Sequence, residues 1–317
     1  MIRTPRLAKL AAATIAIGMI ASLTACGSED PTAAPEASTS GSAGGTKVVV
    51  GSFAFPESEI LGEIYAQALE AKDIEVETKF NIGQRPATIP ALRDGSINVI
   101  PEYNGNLLGF YDKNFTERTT AEVDGALPEA LKADKLRVLK SSPGENKDAY
   151  VVTRKTADEK GLKTIGDLSK IVPFKLAANP QFTEFSYGIP GLKEVYKVGT
   201  NAKDVTFVPI EDSGGPDTVK ALVDDSVQVA DIYTTSPALV TENLVVLEDP
   251  QNMIAAQNII PLVAESAYSD QLAQVLDGVS AQLTTDDLIA LRDRVEGDEK
   301  ASADTAAKEW LTRKGLL

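Results

Sequence analysis

Few residues of this 317-residue chain combine a type and a spacing that could do chemistry. The acidic pairs Asp224-Asp225, Asp286-Asp287 and Asp298-Glu299 could chelate a cation, but they fall at expected helix ends, where such pairs are solvated surface. Gly214-Gly215 in EDSGGPDT has the outline of a phosphate loop and lacks the Lys-Ser/Thr that completes one. It reads as a tight strand-to-helix turn, with Pro216 opening the helix. The chain has no histidine, which removes Ser-His-Asp and Cys-His catalysis and the commonest metal ligand. Two carboxylates across a cleft could hydrolyse a glycoside, yet no segment nominates such a pair. Composition therefore points to a binder rather than an enzyme, with no cofactor and no metal expected.

The single cysteine, Cys26, follows Leu23-Thr24-Ala25. Upstream lie Arg3, Arg6 and Lys9 and then an apolar stretch from Leu10 to Leu23, the order of a secretory signal. That stretch is shorter than the roughly 20 residues needed to cross hydrocarbon. A cysteine after Leu-x-Ala resembles the bacterial lipobox, which implies cleavage before Cys26, a lipid on its sulfur and residence outside the cytoplasmic membrane. With one cysteine, no internal disulfide forms. Residues 27–46 are small and polar without apolar period and read as a flexible linker, reaching roughly 25 Å on average. The net charge of −15 becomes more negative once the basic leader is removed, which disfavours nucleic acid as a partner.

From Lys47 to Leu317 the chain is long enough for two lobes. Val48–Val50 reads as a buried strand. A helix starts near Pro56, with Glu57 and Glu59 at the positive end of its dipole and Ile60, Leu61, Ile64, Tyr65, Ala68 and Leu69 on one face. Strands are expected over 74–80, 97–100, 150–153, 174–177, 205–208 and 227–232, and a short helix over 86–94. Helical periods close the chain at 270–282, 285–295 and 301–314. Beta-alpha alternation implies mainly parallel sheets covered by helices. No internal sequence repeat is visible.

Five segments in order carry a family resemblance. They are GSFAFPESEILGEIYAQALEA (51–71), PALRDGSINVIPEYNGNL (90–107), GIPGLKEVY (188–196), VKALVDDSVQVADIYTTS (219–236) and VVLEDP (245–250). Together they resemble the glycine betaine/choline/carnitine substrate-binding proteins of ABC importers (the OpuAC-like, ProX type), with the actinobacterial branch most similar. The resemblance implies an α/β, two-lobed periplasmic-binding-protein-like fold with two hinge crossings, near Asp148 and Asn258. The expected organisation is signal peptide 1–25, linker 26–46, first lobe 47–148, second lobe 149–257, and return to the first lobe at 258–317. The implied protein is a monomer, lipid-anchored on the extracytoplasmic face of the cell membrane. Its partners would be a small-molecule solute and the permease and ATPase subunits of the importer.

The same resemblance implies an aromatic cage. A quaternary ammonium donates no hydrogen bond and is held by ring faces. Of the family's four aromatic positions, Tyr103, Tyr150 and Tyr233 match three; Gln257 aligns with the fourth, and Asp148 stands two residues before Tyr150 as in the family. Of the other tyrosines, Tyr65, Tyr111, Tyr196 and Tyr268 suit helical packing, and Tyr187 could border the cleft. Where betaine binders carry a lysine, a threonine and an arginine for the carboxylate, this chain has Phe53, Asn106 and Phe185. That loss favours choline, a cation without a carboxylate, or a larger, partly apolar ligand, over glycine betaine. Arg85 is a candidate carboxylate partner or plain surface. A non-osmolyte ligand, or a sensing rather than a transport role, is the alternative on the same fold.

Overall fold

The computed structural model describes residues 47–317. The leader, Cys26 and the linker lie outside the described residues. The chain opens with β1 (Val48–Gly51), α1 (Pro56–Glu70), β2 (Val76–Lys79), α2 (Arg85–Arg93), β3 (Val99–Tyr103), α3 (Asn104–Tyr111), α4 (Thr120–Leu131) and β4 (Leu136–Val138). It then crosses to a second body made of β5 (Tyr150–Thr153), α5 (Arg154–Lys160), β6 (Phe174–Ala178), α6 (Ile189–Glu194), β7 (Val205–Pro209), α7 (Pro216–Val223), β8 (Val229–Asp231), α8 (Ala238–Thr241) and β9 (Leu244–Val246). It returns through β10 (Ile259–Ala264) and ends in α9 (Asp270–Ser280), α10 (Thr285–Glu296) and α11 (Ala303–Lys314).

Two five-stranded sheets result, in the orders β2-β1-β3-β10-β4 and β7-β6-β8-β5-β9. In each, the strand that arrives from the other lobe is the antiparallel one: β10 between β3 and β4, and β5 between β8 and β9. This is the expected two-lobed α/β fold. The lobes share one topology without a sequence repeat, because strand order is set by burial pattern and not by particular residues.

Local signals explain the elements. Pro56 starts α1, and its apolar face is buried against α9, α10 and α11, with Trp310 of α11 fully enclosed in the first-lobe core. Capping boxes at Thr119/Glu122 and Thr284/Asp287 begin α4 and α10. In the second lobe the period of two divides the core: Tyr150, Val152, Leu176 and Ala178 face one side of the sheet, Val151, Ala177 and Ala230 the other.

Several strand boundaries shift by one to three residues from expectation, and two of the shifts have a clear cause. β2 begins at Val76 because the N–H of Ile74 still bonds to Leu69 at the end of α1. β3 runs on to Tyr103, past a proline that reads as a stop, because β10 pairs with it along its whole length. Pro101 and Pro261 stand directly opposite each other in that ladder. They form a non-hydrogen-bonded pair, so neither missing N–H interrupts it.

The crossings lie side by side. Asn146 N–H donates to Gln257 (3.0 Å) and Ile259 N–H to Gly144 (3.0 Å), with Glu145 and Asn258 bridged between them. A third segment joins on the other side: Ile232 N–H donates to Ala149 (3.1 Å) and Thr234 N–H to Lys147 (3.0 Å).

Candidate functional site

A cleft of about 1360 Å³ opens beside these crossings and is lined by both lobes. The first lobe contributes Phe53 and Phe55 from the β1–α1 loop and Tyr103 from the end of β3. The Phe53 N–H donates to Ser58 Oγ (2.9 Å), which ties the loop to the first turn of α1. Phe53 and Phe55 stack at 5.6 Å, and Phe55 meets Tyr103 at 6.2 Å. The Tyr103 hydroxyl donates to Glu57 Oε1 (2.6 Å), which also accepts from Asn146 Nδ2 (2.9 Å). Burial, and then the Glu57 charge, hold the Tyr103 phenol well above its ordinary range.

The second lobe supplies another ring cluster. Phe185 stacks on Tyr187 at 5.1 Å, and Phe182 meets Tyr187 edge-on at 5.9 Å. Tyr233 is half-buried on the cleft, close to Ser213. Between these rings lie Asp148 and Asp231, side chain against side chain. Asp231 Oδ1 also accepts from Ala149 N–H (3.2 Å), and the Tyr187 phenol lies close to Asp148. Burial raises both carboxyls, Asp231 most, and the negative field of Asp148 adds to its rise.

The charge balance is one-sided. Among the described residues, each basic side chain lining the cleft already has an acidic partner. Arg85 grips the fully buried Glu102 with two nitrogens (2.6 and 2.9 Å), Lys147 pairs with Glu145 (2.9 Å), Lys220 with Asp224, and Arg292 with Glu296 (2.8 Å). Arg85 therefore holds Glu102 rather than standing ready for a solute carboxylate, and its guanidinium carbon sits 5.3 Å from the Phe53 ring centroid. Among the described residues Asp148 and Asp231 have no salt-bridge partner.

Phe53, Tyr103, Asn106, Asp148, Phe185 and Tyr233 all line the cleft. Two expectations need correction. Tyr150 is not on the cleft surface: it is fully buried, packs on Phe182 at 5.5 Å and donates its hydroxyl to the Tyr187 and Gly188 carbonyls (2.9 and 3.0 Å). The reason is register. Asp148 precedes the first pair of β5, whereas Tyr150 is already opposite Asp231 inside the sheet. Gln257 also lies off the cleft, where its amide accepts from Asn106 N–H (2.9 Å) and donates to Asn106 Oδ1 (3.2 Å). It fixes the first turn of α3, which Gly105 lets approach so closely that a Cβ there would stand 2.2 Å from the Ala256 carbonyl.

Phe55, Glu57, Asp231 and Arg292 were missed as site residues, and Tyr187, expected as a possible border of the cleft, lines it. Glu57 looks like a helix-dipole residue in sequence, and its role depends on Tyr103, 46 residues away. Asp231 carried a legible signal, since it precedes Tyr233 by the same two residues that separate Asp148 from Tyr150. At the EDSGGPDT turn the Asp212 carboxylate accepts from the Asp217 and Thr218 N–H groups (2.8 and 2.9 Å), so the start of α7 is already occupied. Gly214 adopts φ +72° there, and a Cβ would meet the Asp231 carbonyl at 2.9 Å. Among the described residues no cluster of three or more acidic or thiol ligands could hold a metal, and no helix is long and apolar enough to cross a membrane.

Comparison with known proteins agrees with this architecture. The glycine betaine-binding protein YehZ of Escherichia coli K12 is 28% identical over 279 residues, spanning 84% of this chain and 90% of that protein. The apo YehZ structure superposes with a TM-score of 0.72, covering 86% of this chain and all of that one. A glycine betaine/carnitine/choline ABC transporter structure gives 0.77 at 20% identity, covering 85% and 99%, and a choline-binding protein in complex with choline gives 0.53 at 12% identity, covering 85% and 89%. Residues 46–313 match the model of the substrate binding domain of the ABC-type glycine betaine transport system. The chain belongs to that family and is a substrate-binding component of ABC transport, not an enzyme.

Proposed function

We propose that this protein is the lipid-anchored, extracytoplasmic receptor of an importer, acting as a monomer, and that its cleft takes a quaternary amine of the choline type. The observation that carries this reading is the charge pattern. Two carboxyls without a basic partner stand among aromatic rings from both lobes, while each lining base is already paired. Ring faces attract a methylated cation by about 0.5–2 kcal/mol each, depending on desolvation. A solute carboxylate would find no uncommitted cation and would bear the cost of an unpaired buried charge. The cleft exceeds the roughly 300–1,000 Å³ usual for small-ligand sites, which supports closure of the lobes about the three adjacent segments when a solute enters.

Titration of the purified protein with choline, glycine betaine, carnitine and ectoine by isothermal calorimetry tests the assignment. Saturable choline binding without turnover is expected, with glycine betaine weaker. Glycine betaine binding tighter than choline would overturn the choice of solute. A partly apolar ligand is the second reading, favoured by Phe185, which is 39% exposed at the rim, and a thermal-shift screen would find it. The anchor is tested separately: Cys26→Ser should release the protein to the medium with solute affinity unchanged.

A further inference from the structure

The carboxyl pair of the second lobe has a consequence for how the solute is held. Asp148 lies at the edge of the crossing and Asp231 at the end of β8, and they meet on the cleft wall. Asp231 is only 6% exposed. The groups facing them do not neutralise two negative charges. From the second lobe Tyr150, Tyr187 and Tyr233 surround the pair, all phenols that stay protonated. Asp249 lies beyond Tyr150 and is itself acidic. From the first lobe Arg292 acts on Tyr233 from a distance, but its guanidinium is committed to Glu296 and Thr235. Lys147, the neighbouring base, is held by Glu145. Two buried carboxyls this close to each other, with this little compensation, resist ionising together.

We propose that Asp148 and Asp231 share one proton before solute binds and release it to water when a permanent cation takes the cleft, so that cation capture is coupled to deprotonation. The proposal rests on the quaternary-amine reading above. The entering cation supplies the positive charge that the second carboxylate lacks, and the proton leaves to bulk solvent. Affinity for the cation then rises with pH, by at most tenfold per pH unit where one full proton is released.

The test is calorimetric titration of choline into the full mature protein between about pH 5 and about pH 8, in buffers of different ionisation enthalpy. Wild-type affinity should rise with pH, and the apparent enthalpy should vary with the buffer. Asp231→Asn should flatten both, its affinity matching wild type at the acidic end and falling about tenfold below it at the basic end. A buried carboxylic-acid band in the infrared spectrum at neutral pH, lost in Asp231→Asn, reports the shared proton without any ligand. Choline binding that is equally tight across the range, with no buffer dependence, overturns the coupling and leaves the quaternary-amine reading intact. Failure of every quaternary amine to bind overturns both.

Discussion

The two lobes have the same strand order and opposite electrostatic habits. In the first, the fully buried Glu102 is paired within the lobe by Arg85, and Glu57 on the cleft accepts from the Tyr103 hydroxyl and Asn146 Nδ2. In the second, Asp148 and Asp231 face each other, and among the described residues no base pairs with either. The cores differ as well. The first lobe has one continuous apolar cluster that gathers α9, α10 and α11 around α1, whereas the second has two smaller clusters on either face of its sheet. The same topology thus supplies one half whose fully buried acid is paired with a base and one half in which two buried acids face each other. Unresolved charge is what a solute can relieve.

This contrast can be broken most forcefully at Arg85. Arg85→Ala strands Glu102, which is 0% exposed, and should cost about 3–5 kcal/mol in urea unfolding. Adding Glu102→Gln should recover much of that loss. Asp231→Asn should act with the opposite sign, raising stability by about 0.5–2 kcal/mol at neutral to basic pH, because it removes a like-charge contact. Equal destabilisation by both substitutions would abolish the distinction between the lobes.

Affinity sharpens the comparison. Tyr187→Ala removes a ring on the cleft and should weaken choline binding about tenfold. Tyr150→Phe removes only a hydroxyl bonded to two carbonyls behind that ring, so it should cost about 1 kcal/mol of stability and leave affinity nearly unchanged. The reverse pattern would return Tyr150 to the binding surface.

The smallest effect is on pH dependence. Folding raises both carboxyls above the ordinary 3.8, so the native state holds its proton where the unfolded chain has lost it. The stability of wild type relative to Asp231→Asn should therefore fall as pH rises from about 4 through the raised range of the pair. Thermal melts of both proteins over that interval measure it.

Much of this was legible in the sequence, though unevenly. The Pro56 helix start, the period of its apolar face and the strands at 150–153 and 205–208 are local facts, and local physics decided them. Tyr103, Tyr233 and Asp148 were placed by a resemblance and do line the cleft. Tyr150 was misplaced because it stands two residues further into the sheet than Asp148 and is covered by Phe182, a contact between distant segments. The charge asymmetry was hidden for the same reason. Neither the grip of Arg85 on Glu102 nor the meeting of Asp148 with Asp231 exists until the sheets form.

Three hydrogen-bonded strips at the junction also constrain how the halves travel. A laced ribbon flexes readily along its length but resists shear and skew, because sliding would break the Asn146–Gln257, Ile259–Gly144 and Thr234–Lys147 links together. The proposed closure would then approximate a door on a long piano hinge, with one angle as its coordinate. A transporter that docks on both lobes would then read that one angle as the sign that cargo is aboard.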